Sequence, residues 1–510
     1  MSQSAKVNQV ILIIIDDIRA EHLFNLIKEG RLPNIAKIAE DGIKCSNCVT
    51  SYPAITFPCY GNIVTGAYSG YFPKEGSGVP MYHWLNREDP PSTSKKSPFI
   101  RNYGDRSQSL KVNKDIGKNV KTIFEQAPQG NILSSSCFLF RGAFFVAGKN
   151  VFDVEGIFKN ITDAFENPRK YFSNKEVPII SVAYVFQTDD LLHKKGFDNP
   201  EYINLIIDCD KYLGVLVNIL KKVGYYDSTA IGIISDHGNF KAKELFDLEP
   251  FFKQKGLVQY VPEKGIGDFD CNIGSLGFFN FPGDTWHHHP SIQQMLNFKT
   301  SGILKKDLNL FDTLWQIPGV RYMYYRNDEN KPERGIIHIE YLEKDSGKKE
   351  FAKIEYQGFG KEQKTKYTFD NNDFYQYSDN EKSAQILDNK FHTLEEWIAA
   401  TNHVNFPMII DQIPRYFKNP RSCDILISTL GDYCFNYEHG ATKGISPFSH
   451  DNGLRESMIV PFIIGGSEGI PSKELSYCKT TDMVPTLLNL LGIKPHSSVI
   501  GKSVLDYKSS

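Results

Sequence analysis

Three carboxylates and three imidazoles stand beside short apolar runs of this chain. Asp16 closes the run at residues 10–15 (VILIII), and Asp236 and His237 follow the run at 229–235 (TAIGIIS). Asp189 and His193 are four apart (TDDLLH), just beyond the run at 178–185 (PIISVAYV). That spacing puts both on one turn of a helix, so one ion can reach both. His450 comes shortly before a further apolar run at 458–464. A mixed oxygen and nitrogen donor set suits Zn²⁺ first, with Mn²⁺, Co²⁺ or Fe²⁺ as further choices. Six donors are too many for one open tetrahedral zinc and about right for two ions that leave positions for a substrate. Each piece alone has a plainer reading. A strand-end Asp serves as a helix N-cap, and an Asp–His pair decorates a helix surface. The weight lies in the combination, each piece beside its own core run.

A hydroxyl completes the set. In SYPAITFPCYGNIVTG, residues 51–66, Thr56 lies between Pro53 and Pro58 and before a helix-like stretch that ends at Thr65-Gly66. The free N–H groups of a helix N-terminus favour an anion. A threonine there, bound to a metal, can ionise and act as a nucleophile at neutral pH. The plainer reading is a threonine that caps the helix.

Positioning these groups is the work of the surrounding elements. The runs at 10–15, 178–185 and 229–235 read as buried strands, and helical patterns lie between them at 33–41 and 202–223. Strand–helix alternation predicts a large, mostly parallel α/β sheet with helices on both faces. In such sheets ligands bind at the carboxyl ends of the strands. The strand-like runs at 423–428 and 458–464 and an amphipathic helix at 481–491 are expected to complete the same sheet. Residues 240–405 are rich in Lys, Tyr, Asn and Asp, with a hairpin pattern at 335–357. The expected organisation is therefore a catalytic core at 1–240 and 405–510 with an α+β insertion or cap at 241–404. The stretch PPSTSKKSP, 90–98, reads as an exposed loop, and the lysine-rich stretch 344–353 as a solvated face.

Composition narrows the classes. The chain has 510 residues, 41% hydrophobic and 23% charged, with a formal net charge of -2. No charge imbalance points to nucleic acid or an anionic membrane. The longest early apolar run has six residues, shorter than a secretory or membrane-spanning segment needs. Nine cysteines form no disulfide pattern. The expectation is a cytoplasmic protein with reduced thiols and no membrane segment, in which Cys45 and Cys48 are strand or loop thiols. The tract His287-His288-His289 alternates sides on an extended chain and makes a poor single metal site. It reads as a loop of the insertion, bordering the cleft.

Taken together, these motifs resemble the alkaline phosphatase superfamily, specifically its type I phosphodiesterase/nucleotide pyrophosphatase branch. Ile15-Asp16-Asp17-Ile18-Arg19 is similar to the family's L-D-G-F-R, and Thr56-Phe57-Pro58 through Val64-Thr65-Gly66 to its T-F-P-N…V-T-G. Thr188-Asp189-Asp190-Leu-Leu-His193-Lys-Lys-Gly196 resembles P-D-x-x-G-H-x-x-G, and Ser235-Asp236-His237-Gly238 matches S-D-H-G. His450 resembles the last histidine, and Thr481-Asp482-Met-Val-Pro485 the closing helix.

The resemblance implies one ion on Asp16, Asp236, His237 and the Thr56 oxygen, and a second on Asp189, His193 and His450. It implies hydrolysis of a small phosphorylated substrate, a nucleotide or other phosphodiester, by two in-line displacements through a phospho-threonine. The sequence also departs from the family. Cys59 replaces an asparagine that helps hold the phosphoryl oxygen, with Asn62 a candidate substitute one turn on. Leu192 replaces a glycine. His450 is followed by Asp451, whereas His439-Gly440 keeps the usual H-G pair. Asp17 and Asp190 adjoin the preferred Asp16 and Asp189. The alternatives are a phosphomonoesterase or phosphonate hydrolase on the same scaffold, and a catalytically silent metal-binding protein. A sulfatase is disfavoured because Cys59-Tyr-Gly-Asn lacks that branch's Pro and Arg, and a phosphoglycerate mutase because it resembles a serine nucleophile and another segment order.

Overall fold

Continuous β-branched runs, buried on both faces, build the centre of the first of two units in the computed structural model. The structure describes residues 7–71, 75–88, 99–105, 107–127, 130–147, 151–302, 305–343, 346–437 and 446–508. The first unit comprises Met1–Tyr68, Ile116–Asn239 and Glu456–Ser510; the second comprises Ser69–Asp115 and Phe240–Arg455.

The first unit carries a nine-stranded sheet. Its strands run in the order Lys473–Glu474, Ile43–Val49, Ile459–Gly465, Thr229–Ile234, Gln9–Ile15, Ile180–Val185, Ile132–Ser135, Phe145–Ala147, with Cys478–Lys479 also beside Ile43–Val49. Gln9–Ile15 pairs in parallel with both Ile180–Val185 and Thr229–Ile234. Ile459–Gly465 runs antiparallel to both of its neighbours. All three strands of the central trio are buried along their whole length. The helices Pro33–Glu40 and Pro200–Val223 fall where the periodicity predicts, each with proline in its first turn, where its missing N–H costs nothing. The closing helix forms at Met483–Leu490. All nine cysteines are buried and unpaired, Cys45 and Cys48 on the Ile43–Val49 strand.

The second unit is built on an antiparallel sheet of eight strands in the order Asp270–Ile273, Leu276–Asn280, Ile425–Ser428, Tyr322–Arg326, Arg334–Leu342, Lys349–Gln357, Lys364–Phe369, His392–Thr393. The hairpin expected at 335–357 is present as Arg334–Leu342 paired with Lys349–Gln357. Phe252, Phe269, Phe279 and Ile427 lie in the core of this unit.

Two expectations are corrected here. The run at 423–428 forms a strand, but Ile425–Ser428 pairs with Leu276–Asn280 and Tyr322–Arg326 in the second unit's sheet rather than completing the first. A short apolar strand buried on both faces reads alike in a parallel or an antiparallel sheet. The boundaries also shift. Residues 405–455 belong to the second unit, as does the segment 69–115, both expected in the core. The segment is joined to the later chain by contacts that leave no local trace. The Arg87 guanidinium donates to Asp424 at 2.7 Å, and Arg421 Nη1 to the carbonyl of Asp115 at 2.8 Å. The stretch 90–98 lies outside the described residues. Among the described residues no helix is long and apolar enough to cross a membrane.

Candidate active site

In the central trio, Ile15 is level with Val185, and Ile14 with Ile234. The chain leaves all three strands at the same edge, which brings Asp16 together with the segments that begin at Phe186 and Ser235. The loops are tied to one another: the Asp17 N–H donates to Asp236 Oδ1 at 3.3 Å, the Ile18 N–H to Ser235 Oγ at 2.9 Å, and the Thr188 hydroxyl to the Asp16 carbonyl at 2.6 Å. The glycine of Ser-Asp-His-Gly is required by a close approach. A Cβ on Gly238 would sit 2.2 Å from the Glu456 carbonyl oxygen.

Thr56 is the first residue of the helix Thr56–Thr65; Ile55 is the N-cap and offers no side-chain cap. Its hydroxyl is therefore not spent on capping the helix. Thr56 Oγ1 lies 3.1 Å from His237 Nε2. The same ring nitrogen is 3.4 Å from Asp16 Oδ1 and 3.6 Å from Asp236 Oδ2. On the helix Gln187–Lys195, Asp189 Oδ1 faces His193 Nε2 at 3.2 Å. Ligand atoms of Asp16, Asp189 and His237 all lie within 4.8 Å of one another. Asp189 thus touches both halves of the expected donor set. Asp190 points away and pairs with Lys194 at 3.3 Å in solvent, its side chain 64% exposed.

The electrostatics call for a cation. Asp16, Asp17 and Asp236 are fully buried, with Asp189 beside them. Burial pushes the Asp16 carboxyl well above the usual range, and the charges of Asp236 and Asp189 push it further. Burial also raises Asp236. Burial lifts Asp17 to about 6, against the lowering pull of His237. Burial alone would lower the His237 imidazole, but Asp236, Asp17 and Asp189 outweigh it and lift it to about 9. Asp16 Oδ1 and Asp236 Oδ2 are buried without a hydrogen-bond partner. Orphaned carboxylate oxygens converging on one imidazole are costly in isolation and suited to a divalent cation. The donors present fit the metal that the sequence implied.

Other expected residues fall elsewhere. Cys59 and Asn62 are 0% and 1% exposed and turn inward. Cys59 Sγ lies 3.3 Å from Ser51 Oγ, and the Asn62 amide donates to the same oxygen at 2.6 Å. Burial pushes the Cys59 thiol up to about 11. Neither side chain presents a surface to a substrate, so the substrate-binding role expected for them is withdrawn; they lie on the buried face of the Thr56–Thr65 helix. His450 belongs to the second unit, directly after the strand Phe448–Ser449. There, Asp451, where the family has glycine, accepts hydrogen bonds from the Ser275 hydroxyl at 2.6 Å and the Leu276 N–H at 2.9 Å. The alternative pair His439-Gly440 lies outside the described residues. The tract His287–His289 is also in the second unit, where His289 is set between Asp424 and the Pro420 carbonyl. It borders a cavity of about 410 Å³ with Arg326 and Lys418.

One contributor was passed over in the sequence. Tyr184 donates its hydroxyl to Asp16 Oδ2. Its ring packs on Tyr60 and Phe138 at centroid distances of 4.8 and 5.2 Å. A tyrosine near the carboxyl end of a fully buried strand is the available signal, since a buried phenol needs a partner.

Comparison with known proteins identifies the family and the fold. The family model for type I phosphodiesterase/nucleotide pyrophosphatase matches residues 10–276, just over half of the chain. An uncharacterized pyrophosphatase/phosphodiesterase of Schizosaccharomyces pombe is 25% identical over 238 residues, 45% of this chain and 44% of that protein. The rat ectonucleotide pyrophosphatase/phosphodiesterase family member 7 is 24% identical over 262 residues, 49% of this chain and 55% of that protein. The chain thus spans about half the length of the curated relatives it matches. Human ectonucleotide pyrophosphatase/phosphodiesterase 5 superposes with a TM-score of 0.57 at 14% identity, covering 98% of this chain and 99% of that one. The murine counterpart, an inactive variant in complex with AMP, gives 0.54 at 13% identity, covering 96% of each chain. These likenesses extend the alkaline phosphatase-like α/β architecture to the whole chain.

Proposed function

The chain belongs to the type I phosphodiesterase/nucleotide pyrophosphatase family, and we propose on that footing that it hydrolyses a phosphodiester or pyrophosphate bond with Thr56 as nucleophile. The observation that carries the reading is the meeting of the Thr56 hydroxyl with His237, Asp16 and Asp236 at one sheet edge. Asp16, Asp236, His237 and Thr56 would hold one divalent ion, and Asp189 and His193 would hold a second. The motif resemblance adds His450 to the second ion. When bound, two such ions, zinc or manganese, supply charge that favours the threonine alkoxide and neutralises the phosphoryl and leaving oxygens.

The protein's own groups set up the reaction. The Thr56 oxygen, at a helix N-terminus, is aimed where an anionic phosphoryl group is favoured. It gives up its proton and attacks phosphorus in line, the O–P bond to the leaving group breaks, the departing oxygen takes up a proton, and a phospho-threonine forms. Water then attacks the same phosphorus from the opposite side, the Thr56 O–P bond breaks, and Thr56 recovers its proton. Asp16, held by Tyr184, and Asp236, accepting from the Asp17 and His237 N–H groups, keep the donor set in place through both steps. A nucleotide substrate is supported by the family's description and by the AMP complex of the murine relative. A reducing, cytoplasmic setting is supported by the nine unpaired cysteines.

The test is hydrolysis of bis-p-nitrophenyl phosphate against p-nitrophenyl phosphate, with Zn²⁺ or Mn²⁺ and with a chelator. Metal-dependent diester turnover that vanishes in Thr56→Ala supports the proposal. Preference for the monoester points to a phosphomonoesterase. Bound metal with no turnover of either ester points to a silent metal-binding protein.

A further inference from the structure

The family places glycine after its first metal-binding aspartate; here the residue is Asp17, and it keeps a glycine-like backbone at φ 57. That left-handed conformation is unfavourable for most residues, though aspartate tolerates it better than others. Three hydrogen bonds lock the backbone there. The Asp17 N–H donates to Asp236 Oδ1 at 3.3 Å, and its carbonyl accepts from the Tyr202 hydroxyl at 2.7 Å and the Asn239 amide at 3.1 Å. The carboxylate is fully buried, and neither oxygen has a hydrogen-bond partner. A buried carboxylate in that state is costly unless it answers a positive charge.

His237 is the group it answers. The ring stands between two sets of atoms. On its Nε2 side are Thr56 Oγ1 at 3.1 Å, Asp16 Oδ1 at 3.4 Å and Asp236 Oδ2 at 3.6 Å. On its Nδ1 side are the Gly238 carbonyl at 3.1 Å and Asp17 Oδ1 at 3.6 Å. With Nε2 committed to a cation, Nδ1 must carry the proton, and the ring gains positive character on the side that Asp17 faces. We infer that Asp17 is a positioning residue. It is an outer carboxylate behind His237 that, beside the Gly238 carbonyl to which Nδ1 donates, helps hold the ring's orientation and strengthens Nε2 as a donor to the first metal. Partners of this kind behind metal-bound histidines change metal affinity by about 10–100-fold. The inference rests on the two-metal reading of the site.

The experiment uses the full chain, stripped with a chelator and titrated with Zn²⁺ against a chromogenic competitor. It compares wild type, Asp17→Asn and Asp17→Gly, with the visible absorption spectrum of the Co²⁺-loaded forms as a second readout. Both substitutions suit a left-handed backbone, so both keep the fold. The expected result is two ions bound in all three proteins, with the tighter site weakened about 10–100-fold in Asp17→Gly and less in Asp17→Asn, which retains a neutral acceptor. The Co²⁺ spectrum shifts in both variants. Unchanged affinity and spectrum in Asp17→Gly overturn the inference and leave the two-metal reading standing. Loss of one ion at saturating metal in Asp17→Asn also overturns it, because Asp17 would then be a direct ligand. A wild type that binds no divalent ion overturns the two-metal reading itself, and this inference with it.

Discussion

The hydroxyl oxygen of Thr56 lies 3.1 Å from Nε2 of His237, across 181 residues of sequence. The threonine begins a helix and the histidine follows a strand, so their meeting is a property of the fold. Thr56→Ala is expected to abolish diester turnover by at least about 10³-fold, as loss of a nucleophile does. It should change stability by no more than about 0.5 kcal/mol, because Ile55, not Thr56, occupies the N-cap position. Thr56→Ser, which keeps the hydroxyl, should retain measurable turnover. Steady-state kinetics and thermal unfolding on the same preparations check both halves.

Asp189 and Asp190 adjoin in sequence and part in space. Asp189→Asn is expected to weaken metal binding and turnover at least about 100-fold, since this carboxylate lies within 4.8 Å of donors from Asp16 and His237. Asp190→Asn removes only a solvent-exposed pair with Lys194, worth about 0–1 kcal/mol, and should leave metal content and turnover unchanged. Metal analysis after dialysis separates the two. A larger effect of Asp190→Asn would reverse the assignment.

Tyr184→Phe keeps the ring against Tyr60 and Phe138 and deletes the hydrogen bond to Asp16. Hydrogen bonds to a charged group contribute about 1.5–3 kcal/mol. The variant should stay folded and bind Zn²⁺ roughly 10–100-fold more weakly, as read by chelator competition. Equal affinity in variant and wild type would leave Tyr184 a packing residue alone.

The His237 imidazole is raised from the ordinary 6.5 to about 9. Its protonated form is favoured in the metal-free fold, so its contribution to stability is complete below about 6.5 and is lost as pH rises through about 9. Thermal unfolding with a chelator should therefore show a falling midpoint between pH 6.5 and 9. A bound divalent ion takes the proton's place. Saturating Zn²⁺ or Mn²⁺ should remove that fall, and the metal-induced rise in midpoint should grow with pH over the same window. A metal-free midpoint that is level across this range would contradict the assigned surroundings of His237.

Gly238→Ala would drive a Cβ to 2.2 Å from the Glu456 carbonyl oxygen. That atom is backbone, already engaged by the Asn239 N–H at 3.0 Å, and has little freedom to move. A loss of at least about 1–3 kcal/mol is expected, measured by denaturant unfolding without metal. A neutral result would show that the loop yields.

The residues themselves determined the central trio of strands and the chemical character of the groups at their ends. A β-branched run such as residues 10–15 has one good place, a sheet buried on both faces. An acid or histidine at its end stays at the sheet's edge whatever the rest of the chain does. Local pattern therefore pointed to Asp16, Asp236, His237 and the Asp189–His193 pair. Tertiary structure alone decided between neighbours. Asp189 and Asp190 differ only in the face of the helix they occupy, and Cys59 and Asn62 became interior groups because their helix settles on Ser51. It also decided which sheet received Ile425–Ser428, since a short apolar strand carries the same pattern in either. The assignment of residues 69–115 to the second unit rests on pairs such as Arg87 with Asp424, 337 residues apart. Periodicity records which face of an element is buried; it does not record which distant partner buries it.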